Sequence, residues 1–389
     1  MNILVLNCGS SSVKFALFED EIRVLKGIIE RIGFHDAKVY CVFIPNSEKE
    51  EYIESILDHQ KALKILSNII KKYNFTIDVI GHRVVHGAEK FVEPVIIDEK
   101  VKEDIKECIP LAPLHNPYHL IGIEISEQLF PEAKNVAVFD TAFHKTIPEE
   151  VAIYPLPYEY YEKYKIRKYG FHGTSHYYLM LKTAEVLNQP PQKLKLITCH
   201  LGNGASITAI KYAKSVDTSM GFTPEAGLMM GTRAGDVDPS CLVYLQKIEN
   251  LTPKDIDYIL TKKSGLLGIS GISSDMREII SLKDKNPKAN LAFRMYCYRV
   301  KRYISSYIGI LNGVDCIVFS AGVGENSPIV REEVLKDMDN LGILIDNKKN
   351  YSTIGKDGFI SAEDSKIKVL VLKTDEELMI AKIAKEITK

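Results

Sequence analysis

Asn7, Ser10, Ser12, Lys14, Arg83, Asp140, His172, Arg233 and Glu376 all sit in turns or at the ends of apolar runs, where a chain carries chemistry rather than core. Together they supply hydroxyls, an amide, an ammonium, guanidinium groups, an imidazole and carboxylates. Phosphoryl transfer asks for this set: oxygen ligands for a divalent cation, donors for phosphate oxygens, and cations opposite the charge that builds in the transition state. Arg83 and Arg233 lie in the Gly-flanked strings GHRVVHG and MMGTRAGD, where a planar fork can grip a carboxylate or phosphate through paired hydrogen bonds. Each residue alone has a plainer use. A lone arginine makes a surface ion pair, His172 suits a structural role, Asp140 a strand-end cap, and Glu376 a first-turn acid favoured by the helix dipole. It is their joint placement that points to a site.

The elements that must position them repeat. LKLITCHLGNGASITAI at 194–210 follows the pattern of NILVLNCGSSSVKFALF at 2–18: an apolar run, a Gly- and Ser-rich turn, then alternating small and apolar residues. Each copy predicts strand, tight turn, strand. Such turns leave backbone N–H groups uncovered, and Gly9, Gly202 and Gly204 can take positive φ, so each turn can wrap an anion. The phosphate-loop string GxxxxGK[ST] is absent, and GVGENS at 322–327 lacks the third small residue of a dinucleotide fingerprint.

Strands are predicted at Ile22 to Ile32 and Ala37 to Ile44, with SEKEEY at 47–52 as a connection, then a helix through Ile56, Leu63, Leu66, Ile69 and Ile70. Ile77 to Ile80 and Val136 to Phe139 read as strands delivering GHRVVHG and Asp140. The Pro- and Tyr-rich stretch 146–168 marks a domain boundary near 145–150, and Thr174 reads as the N-cap of a following helix. The segment 217–239 is too irregular for an element and reads as a binding loop. Helices at 252–260 and about 289–312 precede a buried strand, Cys316 to Ser320, and a last strand, Val369 to Leu372, before a C-terminal helix.

At 389 residues the chain exceeds the roughly 250–300 at which a single core stops growing, so two domains are expected. With a net charge of −1, 46% hydrophobic and 26% charged residues, it has no basic face for nucleic acid. No apolar run approaches the ~18 residues of a membrane span. Seven scattered cysteines, odd in number and never spaced CxxC, suit reduced thiols in a cytoplasmic protein.

Taken in order, NCGSSSVKF, GHRVVHG, LAPLHNP, FDTAFH, YGFHGTSH, HLGNGAS, DTSMGFTP, LMMGTRAGDVDP, SGISSDMR, AGVGENS and TDEEL resemble the acetate kinases over the whole chain. The resemblance implies an α/β fold of the sugar kinase, heat-shock chaperone and actin superfamily: two duplicated ribonuclease-H-like (actin-like ATPase) domains with an active-site cleft between them, paired as a homodimer. The domains would be 1–147 plus 375–389, and 148–374. The implied reaction is direct, reversible transfer of the ATP γ-phosphoryl group to acetate, giving acetyl phosphate and ADP, with Mg²⁺ or Mn²⁺. Its partners are those small molecules.

Carried onto matching positions, Asn7 and Glu376 resemble the metal-site residues, and Ser10, Ser12 and Lys14 the first phosphate loop. His200, Leu201, Gly202, Asn203 and Gly204, then Asp275, Met276 and Arg277, then Gly322, Val323, Gly324, Glu325 and Asn326 would complete the nucleotide site. Arg83 resembles the acetate-binding arginine, Arg233 and His172 the transition-state stabilisers, and Asp140 the acid or base. Val85, Leu114, Phe171 and Pro224 would line the methyl pocket. A carboxylate acceptor has no proton to lose at neutral pH, so Asp140 better suits support of the metal or its waters. Cys8, Ala88 and Glu225-Ala226 depart from the pattern, the last beside the acyl pocket. One methylene is worth only about 1–3 kcal/mol, which leaves propionate or butyrate as alternative acceptors. A non-catalytic ATP-driven clamp is the alternative of a different class.

Overall fold

Alternation along the first apolar run builds the first sheet: Leu4, Leu6 and Cys8 point into one core, Ile3 and Val5 into another, so the strand is buried on both faces. The computed structural model describes every residue, Met1–Lys389. The chain forms two units, Met1–Phe143 with Asp375–Lys389, and His144–Thr374.

The first unit holds β1 (Asn2–Cys8), β2 (Ser12–Glu19), β3 (Ile22–Glu30), β4 (Phe34–Phe43), β5 (Glu48–Ile56), β6 (Val79–Val84), β7 (Val95–Ile96) and β8 (Lys134–Phe139), in the order β5-β4-β3-β2-β1-β6-β8-β7. β1 to β5 form an antiparallel meander, while β1, β6 and β8 run parallel. The second unit holds β9 (Lys195–Leu201), β10 (Ala205–Lys211), β11 (Lys214–Thr218), β12 (Cys316–Ser320), β13 (Gly358–Phe359) and β14 (Lys368–Val371), ordered β11-β10-β9-β12-β14-β13. The runs β3-β2-β1-β6-β8 and β11-β10-β9-β12-β14 have one topology, so the repeated hairpin belongs to a repeated sheet.

One face of the first sheet packs on the helix His59–Lys72 through Leu63, Leu66 and Ile70. The other is covered by the helix Glu376–Ile387, through Ile380, Ala381 and Ala384 against Ile3, Val5, Phe18, Val79 and Val138. This helix lies so close to β6 that a Cβ on Gly81 would stand 2.6 Å from Ile380 Cγ2.

Four expectations change. All but Ser47 of the polar stretch at 47–52 lies in strand β5 rather than in a connection, and Ile56, expected on the helix, ends that strand while the helix starts at His59. β5 is the sheet's edge, which tolerates charges on both faces because it has only one neighbour to satisfy. Gly9, Gly202 and Gly204 do not adopt positive φ. Gly9 and Gly202 are needed for space instead: a Cβ on Gly9 would be 3.2 Å from Ser12 Oγ, and one on Gly202 3.1 Å from Gly204 O. Thr174 is not a cap, because the helix Gly173–Val186 begins one residue before it, with His172 as N-cap in the left-handed region at φ 55°.

Candidate active site

In the first unit the β1–β2 turn is closed by Gly9 N–H donating to Ser12 O at 2.7 Å, and the Gly9 carbonyl accepts from His59 Nε2 at 2.7 Å. Ser10 lies exposed on this turn, Ser12 is half-buried, and Asn7 and Lys14 are paired across the hairpin. Arg83 near the end of β6 meets Asp140 just past β8, where Asp140 N–H donates to Val84 O at 2.9 Å. Arg83 Nε donates to Asp140 Oδ1 at 3.0 Å and Nη2 to Oδ2 at 2.6 Å, a two-pronged ion pair whose carboxylate is almost wholly buried. Burial pushes the Asp140 carboxyl up from the ordinary value, Arg83 pulls it back, and Glu376 adds a smaller push upwards. Burial also opposes the Arg83 charge, but Asp140 outweighs it and holds the guanidinium proton above its usual value.

Glu376 is the middle of three consecutive acids. Asp375 caps its helix by accepting from Leu378 N–H and pairs with Arg23, and Glu377 pairs with Arg23 at 3.2 Å. Glu376 forms no ion pair or hydrogen bond, yet acts electrostatically on both Arg83 and Asp140. A single unpaired carboxylate suits a magnesium ion that keeps most of its waters and shares phosphate ligands. No group of three His, Cys, Asp or Glu residues forms a closed metal cage. Val85 is buried after β6, whereas Leu114 is 57% exposed and packs into none of the three cores of this unit. His119 carries no motif signal of its own. It is buried with neither ring nitrogen bonded, and burial, then Arg83, holds its imidazole well below the ordinary value.

The second unit brings His172 and Arg233 together. A Cβ on Gly204, in the β9–β10 turn, would be 3.5 Å from Arg233 Nη1 and 3.7 Å from His172 Nε2. Both donors therefore flank one bare stretch of backbone. Arg233 Nη1 reaches only neutral acceptors, the Pro224 carbonyl at 3.2 Å and Met230 Sδ at 3.7 Å, and burial lowers its pKa from the usual value. Its loop is tied by Asp236, which accepts from Gly227 N–H at 2.8 Å and from Tyr303 Oη at 2.7 Å. His172 Nδ1 bonds Ser206 Oγ at 2.9 Å, and its ring stacks on His200 at 4.3 Å between centroids. The Phe171 carbonyl accepts from His144 Nε2 at 2.9 Å, which fixes the neighbouring backbone.

Beside this lies a cavity of about 990 Å³ lined by Gly202, Asn203, Asp275, Met276, Arg277, Gly322, Val323 and Asn326, bringing together much of the proposed nucleotide set. Leu201 is buried core instead, and the Glu325 carboxylate is spent on Ser320 Oγ, Ala321 N–H and Thr374 N–H, bracing the start of the helix Ala321–Asn326. Arg331, fully buried, donates to the Gly324 and Glu325 carbonyls and so holds the other end of that helix. Ile280, Tyr296 and Ile329 form apolar walls that no motif announces.

The sequence matches the Acetokinase family over residues 2–382. The chain belongs to the acetokinase family. It is 52% identical to the acetate kinase of Caldicellulosiruptor saccharolyticus, covering 100% of this chain and 99% of that one. The crystal structure of Porphyromonas gingivalis acetate kinase superposes with a TM-score of 0.95 at 46% identity, covering both chains fully. That of a propionate kinase from Francisella tularensis gives 0.94 at 42% identity, covering 99% of each. Acetokinases have the actin-like fold of sugar kinases and heat-shock ATPases, and the two sheets described above are its repeated units. The chain is accordingly a kinase of a family that works with ATP and ADP.

Proposed function

We propose that this protein is an acetate kinase, moving the γ-phosphoryl group of ATP directly and reversibly to the acetate carboxylate. The observation that carries the reading is the convergence of His172 and Arg233 on the bare backbone of Gly204, in the unit that holds the nucleotide-sized cavity. Donors so placed neutralise charge on a phosphoryl group in transit, which is the main demand of the reaction. Arg83 binds the acetate carboxylate. Asp140 presents both oxygens to Arg83 and so orients it, which leaves it no role as a proton acceptor. Ser10, Ser12 and Lys14 meet phosphate oxygens, and Val85, Leu114, Phe171 and Pro224 receive the methyl group. Asn7 and the unpaired Glu376 would hold Mg²⁺, which when bound neutralises phosphate charge.

A homodimer is supported by the helix Pro239–Glu249, none of whose residues is buried although Val243, Tyr244 and Ile248 are 50%, 64% and 52% exposed. Tyr244→Asp should halve the mass seen by sedimentation; an unchanged mass puts the interface elsewhere. The unbridged thiols support a cytoplasmic location, and no helix is long and apolar enough to cross a membrane.

The test is acetate-dependent ADP release with hydroxylamine trapping of the acyl phosphate, comparing kcat/KM for acetate, propionate and butyrate. ATP hydrolysis indifferent to acetate would sink the reading. The likeness to a propionate kinase favours propionate as the second reading, and a higher kcat/KM for it would establish that one.

A further inference from the structure

His172, Ser206, His176 and Thr198 form an unbroken hydrogen-bonded file. His172 Nδ1 lies 2.9 Å from Ser206 Oγ, Ser206 Oγ 2.8 Å from His176 Nε2, and His176 Nδ1 2.7 Å from Thr198 Oγ1. Ser206, His176 and Thr198 are all fully buried in the β9–β10 hairpin and the helix packed on it, and phosphoryl transfer uses none of them directly. We propose that Thr198, acting through His176 and Ser206, fixes His172 as the tautomer that carries its proton on Nε2, which makes all three positioning residues.

The inference rests on the reading of His172 as the histidine that meets the phosphoryl group, and its physical content is proton counting. Burial, reinforced by His144 and His200, drives His176 well below the ordinary imidazole value, so the ring is neutral, with one N–H and one lone pair. A neutral ring between hydroxyls leaves two self-consistent arrangements. In the outward one, Thr198 O–H donates to His176 Nδ1, His176 Nε2–H to Ser206 Oγ, and Ser206 O–H to His172 Nδ1. His172 then keeps its proton on Nε2. In the inward one every bond reverses, His172 is protonated on Nδ1, and Thr198 Oγ must accept from His176.

The two differ at the buried end. The Thr198 hydroxyl has no partner besides His176, so reversal strands its proton with no acceptor. An unpaired buried donor favours the outward arrangement by roughly 5- to 150-fold. The result matters because Nε2 is the nitrogen turned towards Gly204, at 3.7 Å from the point that lies 3.5 Å from Arg233 Nη1. An Nε2–H there adds a second donor beside the guanidinium without adding a second positive charge. His172 is also held in the left-handed region at φ 55°, a conformation that a loose ring would not keep aimed.

The experiment is long-range ¹⁵N–¹H correlation on full-length protein labelled at histidine, at pH 8, with the His172 signals assigned by their loss in His172→Gln. The wild type should show His172 unprotonated at Nδ1 and protonated at Nε2. Thr198→Val, nearly isosteric, should give a mixture of tautomers and about a tenfold lower kcat with KM for ATP within about twofold. Thr198→Ser, which restores the hydroxyl, should restore both. A wild-type His172 protonated on Nδ1, or a Thr198→Val protein with unchanged tautomer and turnover, overturns the inference. Should Thr198→Val fail to fold, Ser206→Ala, which cuts the file at its middle, is read by the same signals. The tautomer readout needs no turnover, so a failure of the acetate kinase reading appears separately, as wild-type protein with no acetate-dependent ADP release.

Discussion

Replacing Gly204 with alanine separates the architecture of the site from the stability of the fold. The backbone there has no positive φ, so an alanine meets no conformational penalty. Its Cβ would sit 3.5 Å from Arg233 Nη1 and 3.7 Å from His172 Nε2, ordinary van der Waals contact. Nothing has to move. Removing the extra freedom of glycine from the unfolded chain should leave stability unchanged or about 0.4–1 kcal/mol higher. Catalysis should suffer, because a phosphoryl oxygen bonded to both donors needs about 2.7–2.9 Å to each and the methyl group takes that volume. Losing two hydrogen bonds to an ionised group, at about 1.5–3 kcal/mol each, sums to about 3–6 kcal/mol. That corresponds to a fall in kcat/KM of roughly 10²- to 10⁴-fold. The assay pairs thermal unfolding with acetate-dependent ADP release on one preparation. A variant that keeps both its melting temperature and its turnover would refute the placement of the transferring group over Gly204, and with it the roles given to His172 and Arg233.

Other perturbations test the remaining parts. Asp140→Asn keeps one acceptor for Arg83 and loses the second charge-assisted bond, so KM for acetate should rise at least tenfold, from about 1.5 kcal/mol or more. The pH–rate profile should keep its shape, and loss of one of its limbs would instead identify Asp140 as an acid or base. Gly81→Ala drives a methyl to 2.6 Å from Ile380 Cγ2 and should cost about 1–3 kcal/mol, read as a lower urea midpoint; in an Ile380→Ala background, which removes Cγ2, the same substitution should cost less. His82, buried and accepting or donating only to Asn135, is pushed by burial down to about 4. A histidine lowered on folding leaves the unfolded chain as the form that binds the proton first. Its contribution is therefore intact above about pH 6.5 and lost as pH falls towards 4, amounting to about 1.4 kcal/mol at pH 5.5. His144, likewise near 4, adds a similar loss, so the urea midpoint should drop between pH 7.5 and 5.5; a flat midpoint would contradict the buried, neutral state of both rings.

The repeated hairpin was legible because apolar runs broken by small residues are a local pattern, whereas the sheet order depends on pairings far apart in the chain. What the glycines do was not. Sequence offers conformational freedom as the obvious reason for Gly202 and Gly204, while the structure uses their lack of bulk, a fact about neighbours rather than about the turn. β5 was invisible because it is charged along most of its length and buries only its last residue, Ile56, and its place at the edge makes it a strand. Arg83 and Asp140 are 57 residues apart, and no local signal joins them until β6 and β8 run side by side. Tyr296, Ile280 and Ile329 belong to no motif, and only the fold brings them together as walls of a cavity. The capping hydroxyl expected of Thr174 lost to a strained histidine one step outside the helix, a residue type that propensity alone would not select.

The last helix of the chain is the lid of the first sheet's second core. Until Glu376–Ile387 leaves the ribosome, the greasy side of β1, β6 and β8 has no cover, although those strands were made hundreds of residues earlier. The opening unit therefore cannot settle until that helix has been made, and a truncation that removes it should be as damaging to yield as one near the middle.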